Sequence, residues 1–346
     1  EYEKYLVGIW TRNWLTNNGP LVQELESKLR AYLGVEGLLY VSSGTMALQI
    51  AIKALELKGE VITTPFSHVA TVSSLVWSGC EPVLVDIDKN TLNIDPDKIE
   101  AAITSRTSAI LATHCFGNPC DIDAIQIVAA KHRLKVIYDA AHCFGTNYKA
   151  RSVFDFGDIS TTSFHSVKVF HTIEGGAVFT RDMALIKRMQ FMRNFGHNGP
   201  EKFDGVGING KNSELHAAMG LCVLKYISEV LAKRKKQYDY YRNMFEKQDV
   251  KLQAINPLAE LNGAYFPLIF KDETTALNVK KLLEMQEIYP RRYFYPSLSS
   301  LSYVNRGNTP ICNDLSKRIL CLPLFHDLEQ SKQEEIVNLV NTGAAI

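Results

Sequence analysis

The chain has 346 residues, 46% of them hydrophobic and 22% charged, with a formal net charge of +1. That length suits a large globular unit with a smaller companion, and the near-neutral balance excludes a global field that would draw the protein to nucleic acid or anionic lipid. Uninterrupted apolar runs stay far below the ~18 residues of a membrane span and no signal-peptide pattern opens the chain, so a cytoplasmic protein without a membrane partner is expected.

Residues 1–20 are rich in aromatics and read as an extended N-terminal segment ending in Thr16-Asn17-Asn18-Gly19-Pro20, where Pro20 suits the first turn of a helix. Leu21, Leu25, Leu29 and Leu33 then recur every fourth residue, which predicts an amphipathic helix. The apolar run Gly37 to Val41 predicts a short strand that enters Ser42-Ser43-Gly44-Thr45, after which helical spacing resumes. A strand that stops at such a sequence and opens a helix gathers free N–H groups, hydroxyls and the positive end of a helix dipole at one point. An anion cup and a plain helix N-cap both satisfy that pattern.

Strands at 60–64, 82–87, 108–113 and 134–140 alternate with helices at 69–78, 95–102 and 122–132. Such βα alternation with nearly all-apolar strands predicts a mostly parallel central sheet with helices on both faces. Ligands then belong at the carboxyl ends of the strands, where Gly44, Thr45, His68, His114, Asp139 and Ser163 all fall. Asp139 closes a buried strand, either as an N-cap for the next segment or as the partner of a cationic group.

The stretch Asp158 to Thr180, DISTTSFHSVKVFHTIEGGAVFT, sets Lys168 between two extended segments. A lysine held on a rigid strand end can form a Schiff base with an aldehyde cofactor; a solvated surface lysine is the plain alternative. A helix over 181–196 and a glycine-rich loop precede a long helix from near Ser213, whose basic run Lys233 to Lys236 reads as a solvated face. From about residue 250 short strands and helices predict a smaller α/β unit. The expected division is 1–20, 21–230 and 231–346. The seven scattered cysteines read as reduced buried thiols, and the nine histidines lack metal-ligand spacing.

An anion cup, a strand-end acid and a later lysine form the inventory that pyridoxal 5′-phosphate (PLP) requires. The stretches SSGTMAL, EPVLVDIDKNTLNIDPDKIEAAIT, THCFGNPCDIDAI, VIYDAAHCFGTNYKAR, SFHSVKVFHTIEGGAVFT and GINGKNSELHAAMGL, in this order, resemble the DegT group of nucleotide-sugar aminotransferases, a fold-type I PLP family. RYFYPSL and RILCLPLF extend the likeness toward the C-terminus.

The resemblance implies that Lys168 carries the cofactor and shuttles the proton, and that Asp139 pairs with the ring nitrogen. It implies that His142 meets the ring hydroxyl, and that Gly44, Thr45 and Ser163 bind the phosphate. Asn209 would reach the phosphate of a neighbouring subunit, so a homodimer with shared sites is implied. His68 stands where the family places an aromatic over the ring.

Family members with histidine in the lysine slot are dehydratases, and here the slot is Lys168. Ser163-Phe164-His165 with Glu174-Gly175-Gly176 resembles members that aminate C4, rather than C3, of a nucleotide-linked 4-keto-6-deoxyhexose, with dTDP as nucleotide and glutamate as donor. A C3-specific sugar aminotransferase, a PLP lyase or dehydratase on the same fold, and a non-catalytic PLP-binding relative are the alternatives. Arg291, Arg292 and Lys211 are equivalent candidates for the diphosphate, with solvated surface charge as the plain alternative for each.

Overall fold

A computed structural model describes residues 1–304 and 307–345; Asn305, Arg306 and Ile346, within the expected C-terminal unit, lie outside the described residues. The N-terminal part comprises α1 (Tyr2–Arg12), α2 (Pro20–Leu33), β1 (Leu38–Val41), α3 (Gly44–Ala54), β2 (Glu60–Thr63), α4 (Val69–Trp77), β3 (Glu81–Leu84), α5 (Pro96–Ile99), β4 (Thr107–Thr113), α6 (Ile122–His132) and β5 (Lys135–Asp139). After the short strands β6 (Asn147–Tyr148) and β7 (Arg151–Ser152) come β8 (Ile159–Ser163), β9 (Gly176–Phe179), α7 (Met183–Met192) and the 32-residue α8 (Glu214–Phe245). The chain ends with β10 (Lys251–Leu252), β11 (Ala259–Glu260), β12 (Phe266–Ile269), α9 (Glu273–Met285), α10 (Pro310–Leu315), β13 (Ile319–Leu322) and α11 (Gln330–Ala345).

Among the described residues seven strands form the central sheet in the order β1-β9-β8-β5-β4-β2-β3. All neighbours from β8 to β3 are parallel, while β9 lies antiparallel to both β1 and β8. The alternation of side chains explains the two covered faces. Ile110, Val136 and Tyr138 enter a core with α1, α2, α6 and α8; Ala109, Leu111 and Ile137 enter another with α3 and α7. The expectation of a mostly parallel sheet between helices thus holds. Residues from α8 onward add the three-stranded sheet β10-β12-β13 and its own apolar cluster around Tyr241, Phe266 and Val337.

The N-terminus corrects the sequence reading. Residues 2–12 form a helix, because Tyr2, Tyr5, Leu6 and Ile9 share one face and join the core cluster that contains Leu221 and Ile227 of α8. Asn13 ends that helix in the left-handed conformation, at φ 52°. The basic run also differs from expectation. Lys233 and Lys235 pair along the helix with Glu229 and Asp239, but Arg234 turns inward and donates to the carbonyls of Gly263 and Ala264 at 3.1 and 2.7 Å.

α8 is long and apolar enough for a membrane span by composition alone. Ala217, Ala218, Leu221 and Ile227 are nevertheless buried in the protein core, so packing accounts for its apolar face. All seven cysteines are free thiols and six are buried.

Candidate active site

The TNNGP turn and the start of α8 lock together. Glu214, fully buried, accepts from the N–H groups of Leu21 and Val22 at 3.0 and 2.9 Å and so caps α2 from across the chain. A Cβ on Gly19 would stand 2.6 Å from its carboxyl carbon, which explains glycine there. Asn212 ties the same region to the site by donating to the Tyr40 hydroxyl and the Glu174 carbonyl at 2.9 and 3.0 Å.

β9 brings the motif stretches together. Gly176 is paired with Val41 at the end of β1 and with Ser163 at the end of β8. The first turn of α3 lies against both: a Cβ on Gly44 would stand 2.8 Å from Ser163 Cβ, and one on Gly176 would stand 2.7 Å from Gly44 N. Ser43 caps α3 by accepting from Met46 N–H at 3.1 Å, while the Gly44 and Thr45 N–H groups have no partner among the described residues and point to an anion.

Lys168 lies in the β8–β9 connection, not on a strand end as the sequence reading had it. The connection is pinned on either side by Phe164 and Phe170, both fully buried and edge-to-face at 4.9 Å. A turn closes over the lysine, whose N–H donates to His165 O at 2.9 Å. Burial pushes the amine down to about 8, partly opposed by the Asp139 carboxylate.

Asp139 ends β5 and is 6% exposed. Its Oδ2 accepts from the Thr71 hydroxyl at 2.8 Å and its Oδ1 from Ala141 N–H at 3.2 Å. His142 is buried, parallel to the Phe294 ring at 5.7 Å, and its Nδ1 accepts from Phe116 N–H at 3.3 Å. Nε2 therefore carries the proton of the neutral ring. Desolvation, then Lys168 and His68, holds that histidine well below its usual value. His68 caps α4 through Nδ1, which accepts from Ala70 N–H at 3.2 Å, and burial followed by Lys168 lowers its basicity as well.

Gly44, Thr45, His68, Asp139, His142, Ser163 and Lys168 line one cavity of about 390 Å³ at the carboxyl ends of the strands. Asn209 does not join them. It is exposed and bridges Asn194 in the glycine-rich loop. Residues missed by sequence reasoning are Ser67, Thr113, Tyr293 and Phe294, which line the cavity, and Thr71 behind Asp139.

A second cavity of about 800 Å³ shares Val167, Lys168 and Arg291 with the first and runs between α8 and the segment after β13. Of the three candidate cations only Arg291 lines both. Its backbone is clamped to Cys321 by two hydrogen bonds of 3.0 and 2.8 Å, while its guanidinium contacts the Tyr293 hydroxyl at 3.2 Å and no carboxylate among the described residues. Arg292 is paired with Glu273, and Lys211 bonds Asn194 at a different cavity.

The aminotransferase family model described as DegT/DnrJ/EryC1/StrS matches residues 1–341. The chain belongs to that family. Among relatives, a dTDP-4-amino-4,6-dideoxy-D-glucose transaminase of Shigella dysenteriae is 41% identical over 98% of the chain and 95% of its own length. Its Escherichia coli counterpart is 39% identical over 98% and 94%. A solved structure of DesI in the presence of its TDP-sugar product has a TM-score of 0.93 at 32% identity, covering 99% of this chain and 89% of that one. The chain is therefore an aminotransferase, and the fold expected from the resemblance is the one found.

Proposed function

We propose that the protein uses PLP to move an amino group from an amino acid, L-glutamate, to C4 of a dTDP-linked 4-keto-6-deoxyhexose, giving a 4-amino-4,6-dideoxy sugar nucleotide. The observation that carries the reading is the convergence of a depressed lysine amine, a buried carboxylate and the free N–H groups of a helix start in one cavity. These residues fit the cofactor. The close approach of Gly44 and Gly176 keeps side-chain atoms out of the cradle that a phosphate would occupy.

In this reading the Gly44 and Thr45 N–H groups and the Ser163 hydroxyl hold the phosphate. Asp139 would meet the ring nitrogen, His142 would donate Nε2–H to the ring hydroxyl and His68 would cover the ring. PLP, when bound, supplies an electron sink for the carbon that loses or gains its proton. Lys168 would hold the cofactor through its amine and would carry the proton at the substrate carbon. A group near 8 suits that task, since proton transfer works best when the amine titrates near the operating pH.

Arg291 takes the diphosphate, because of the three candidate cations it alone lines both cavities, and it has no carboxylate partner among the described residues. The larger cavity then houses the nucleotide, with Tyr226, Tyr289 and Phe325 among its walls. The homodimer is supported by exposed Phe195, Phe203, Val206 and Ile208 around Asn209, an apolar rim that a second copy would cover. Position C4 and dTDP are supported by the two relatives at 41% and 39% identity.

The test is incubation with glutamate and a dTDP-4-keto-6-deoxyhexose, followed by NMR of the purified sugar product and assay of 2-oxoglutarate. Nitrogen on C4 with one equivalent of the keto acid is expected. Nitrogen on C3, or loss of water from the sugar without keto acid, would replace this reading by one of its alternatives.

A further inference from the structure

Three buried hydroxyls stand in series behind Asp139. Ser67 precedes α4, Thr71 lies in its first turn and Thr113 ends β4, and none is more than 4% exposed. Thr71 Oγ1 lies 2.8 Å from Asp139 Oδ2, Ser67 Oγ lies 2.7 Å from Thr71 Oγ1, and Thr113 Oγ1 lies 2.9 Å from Ser67 Oγ.

The direction of this chain follows from donor arithmetic. A carboxylate oxygen only accepts, so the single proton of Thr71 is committed to Asp139. Thr71 can then only accept from Ser67, and Ser67 only from Thr113. Every dipole in the series points its positive end at the carboxylate, and each bond polarises the next.

We propose that Thr71, backed by Ser67 and Thr113, is a positioning residue that holds the Asp139 carboxylate turned to receive a pyridine nitrogen. The proposal rests on the reading that Asp139 meets the ring nitrogen. Thr71 occupies Oδ2 and Ala141 N–H steadies Oδ1, so the carboxylate cannot swing away when the site is open. A purely structural role, tying α4 to the ends of β4 and β5, predicts something different: its loss would weaken any ligand of the cavity alike.

The two roles separate with a pair of ligands, PLP and its 1-deaza analogue, in which the ring nitrogen is replaced by C–H. Binding to the full chain freed of cofactor is followed by absorbance and fluorescence titration. The wild type should bind PLP more tightly than the analogue. Thr71→Val should lose about ten-fold in PLP affinity, the worth of one hydrogen bond to a charged group, and stay within about two-fold for the analogue. Thr71→Ser should recover most of the loss. Ser67→Ala, which removes only a hydroxyl one step further back, should show the same selectivity at roughly two- to three-fold and serves if the valine variant does not fold. Equal weakening of both ligands, or of neither, overturns the proposal while leaving the Asp139 reading intact. A wild type that does not distinguish the two ligands overturns the Asp139 reading and the proposal with it.

Discussion

Replacing Gly176 by alanine tests whether the starts of β9 and α3 form one rigid cradle. The added Cβ would stand 2.5 Å from Ser43 O, 2.6 Å from Ser43 C and 2.7 Å from Gly44 N. Ordinary contacts lie near 3.5 Å, so a gap of about 0.8–1 Å must open. All three atoms are backbone, and no side-chain rotation can relieve the overlap. Overpacking of this kind costs about 1–3 kcal/mol of folding stability. The same displacement carries the Gly44 and Thr45 N–H groups away from a bound phosphate. Weakening one bond to a charged group costs about 1.5–3 kcal/mol, which corresponds to about 10- to 150-fold in PLP affinity.

Denaturant unfolding without cofactor reads the first quantity and absorbance titration with PLP reads the second. Gly8→Ala is the control, because its Cβ meets only the flexible Arg12 side chain, with Nη1 at 3.0 Å, inside α1. That substitution should raise stability by about 0.5–1 kcal/mol and leave PLP affinity unchanged. A Gly176→Ala protein that binds PLP as tightly as the wild type would refute the cradle.

The rate of PLP incorporation by cofactor-free protein should rise with pH and level off above about 8, because only the unprotonated Lys168 amine attacks the aldehyde. At pH 7 about one amine in ten is neutral with this value, against about one in three thousand for an ordinary lysine; a rate still climbing at pH 10 contradicts the buried amine. Arg291→Gln should weaken dTDP binding about ten-fold in calorimetry, whereas Lys211→Gln should change it less than about two-fold. The opposite order would move the diphosphate to the other cavity.

Much of this arrangement was legible from local pattern. Helix Ile122–His132 and the strands ending at Val41, Asp139 and Ser163 follow from apolar periodicity and capping residues, since Asp121 and Ser43 satisfy their own helix starts within three residues. The helix over 2–12 carried its signal in Tyr2, Tyr5, Leu6 and Ile9, and was masked by the aromatic content of that segment. Other features are legible only in three dimensions. Ser67, Thr71 and Thr113 belong to two chain segments that meet because β2 and β4 are neighbours in the sheet. Arg291, Arg292 and Lys211 are alike as sequence, and what separates them is which one already has a partner. The glycines at 19, 44 and 176 are spaced by long stretches of chain, and each is required by what it approaches: the Glu214 carboxyl, the Ser163 Cβ and the Ser43–Gly44 backbone.

The central claim is that the amine of Lys168 carries the cofactor. Borohydride reduction of the PLP-loaded protein, followed by proteolysis and mass spectrometry, tests it directly, with Lys168→Ala in parallel. The account predicts a single reduced pyridoxyl label on the peptide containing Lys168, and a variant that still binds PLP non-covalently but turns over no substrate. A label on another lysine, or sustained turnover by Lys168→Ala, contradicts it.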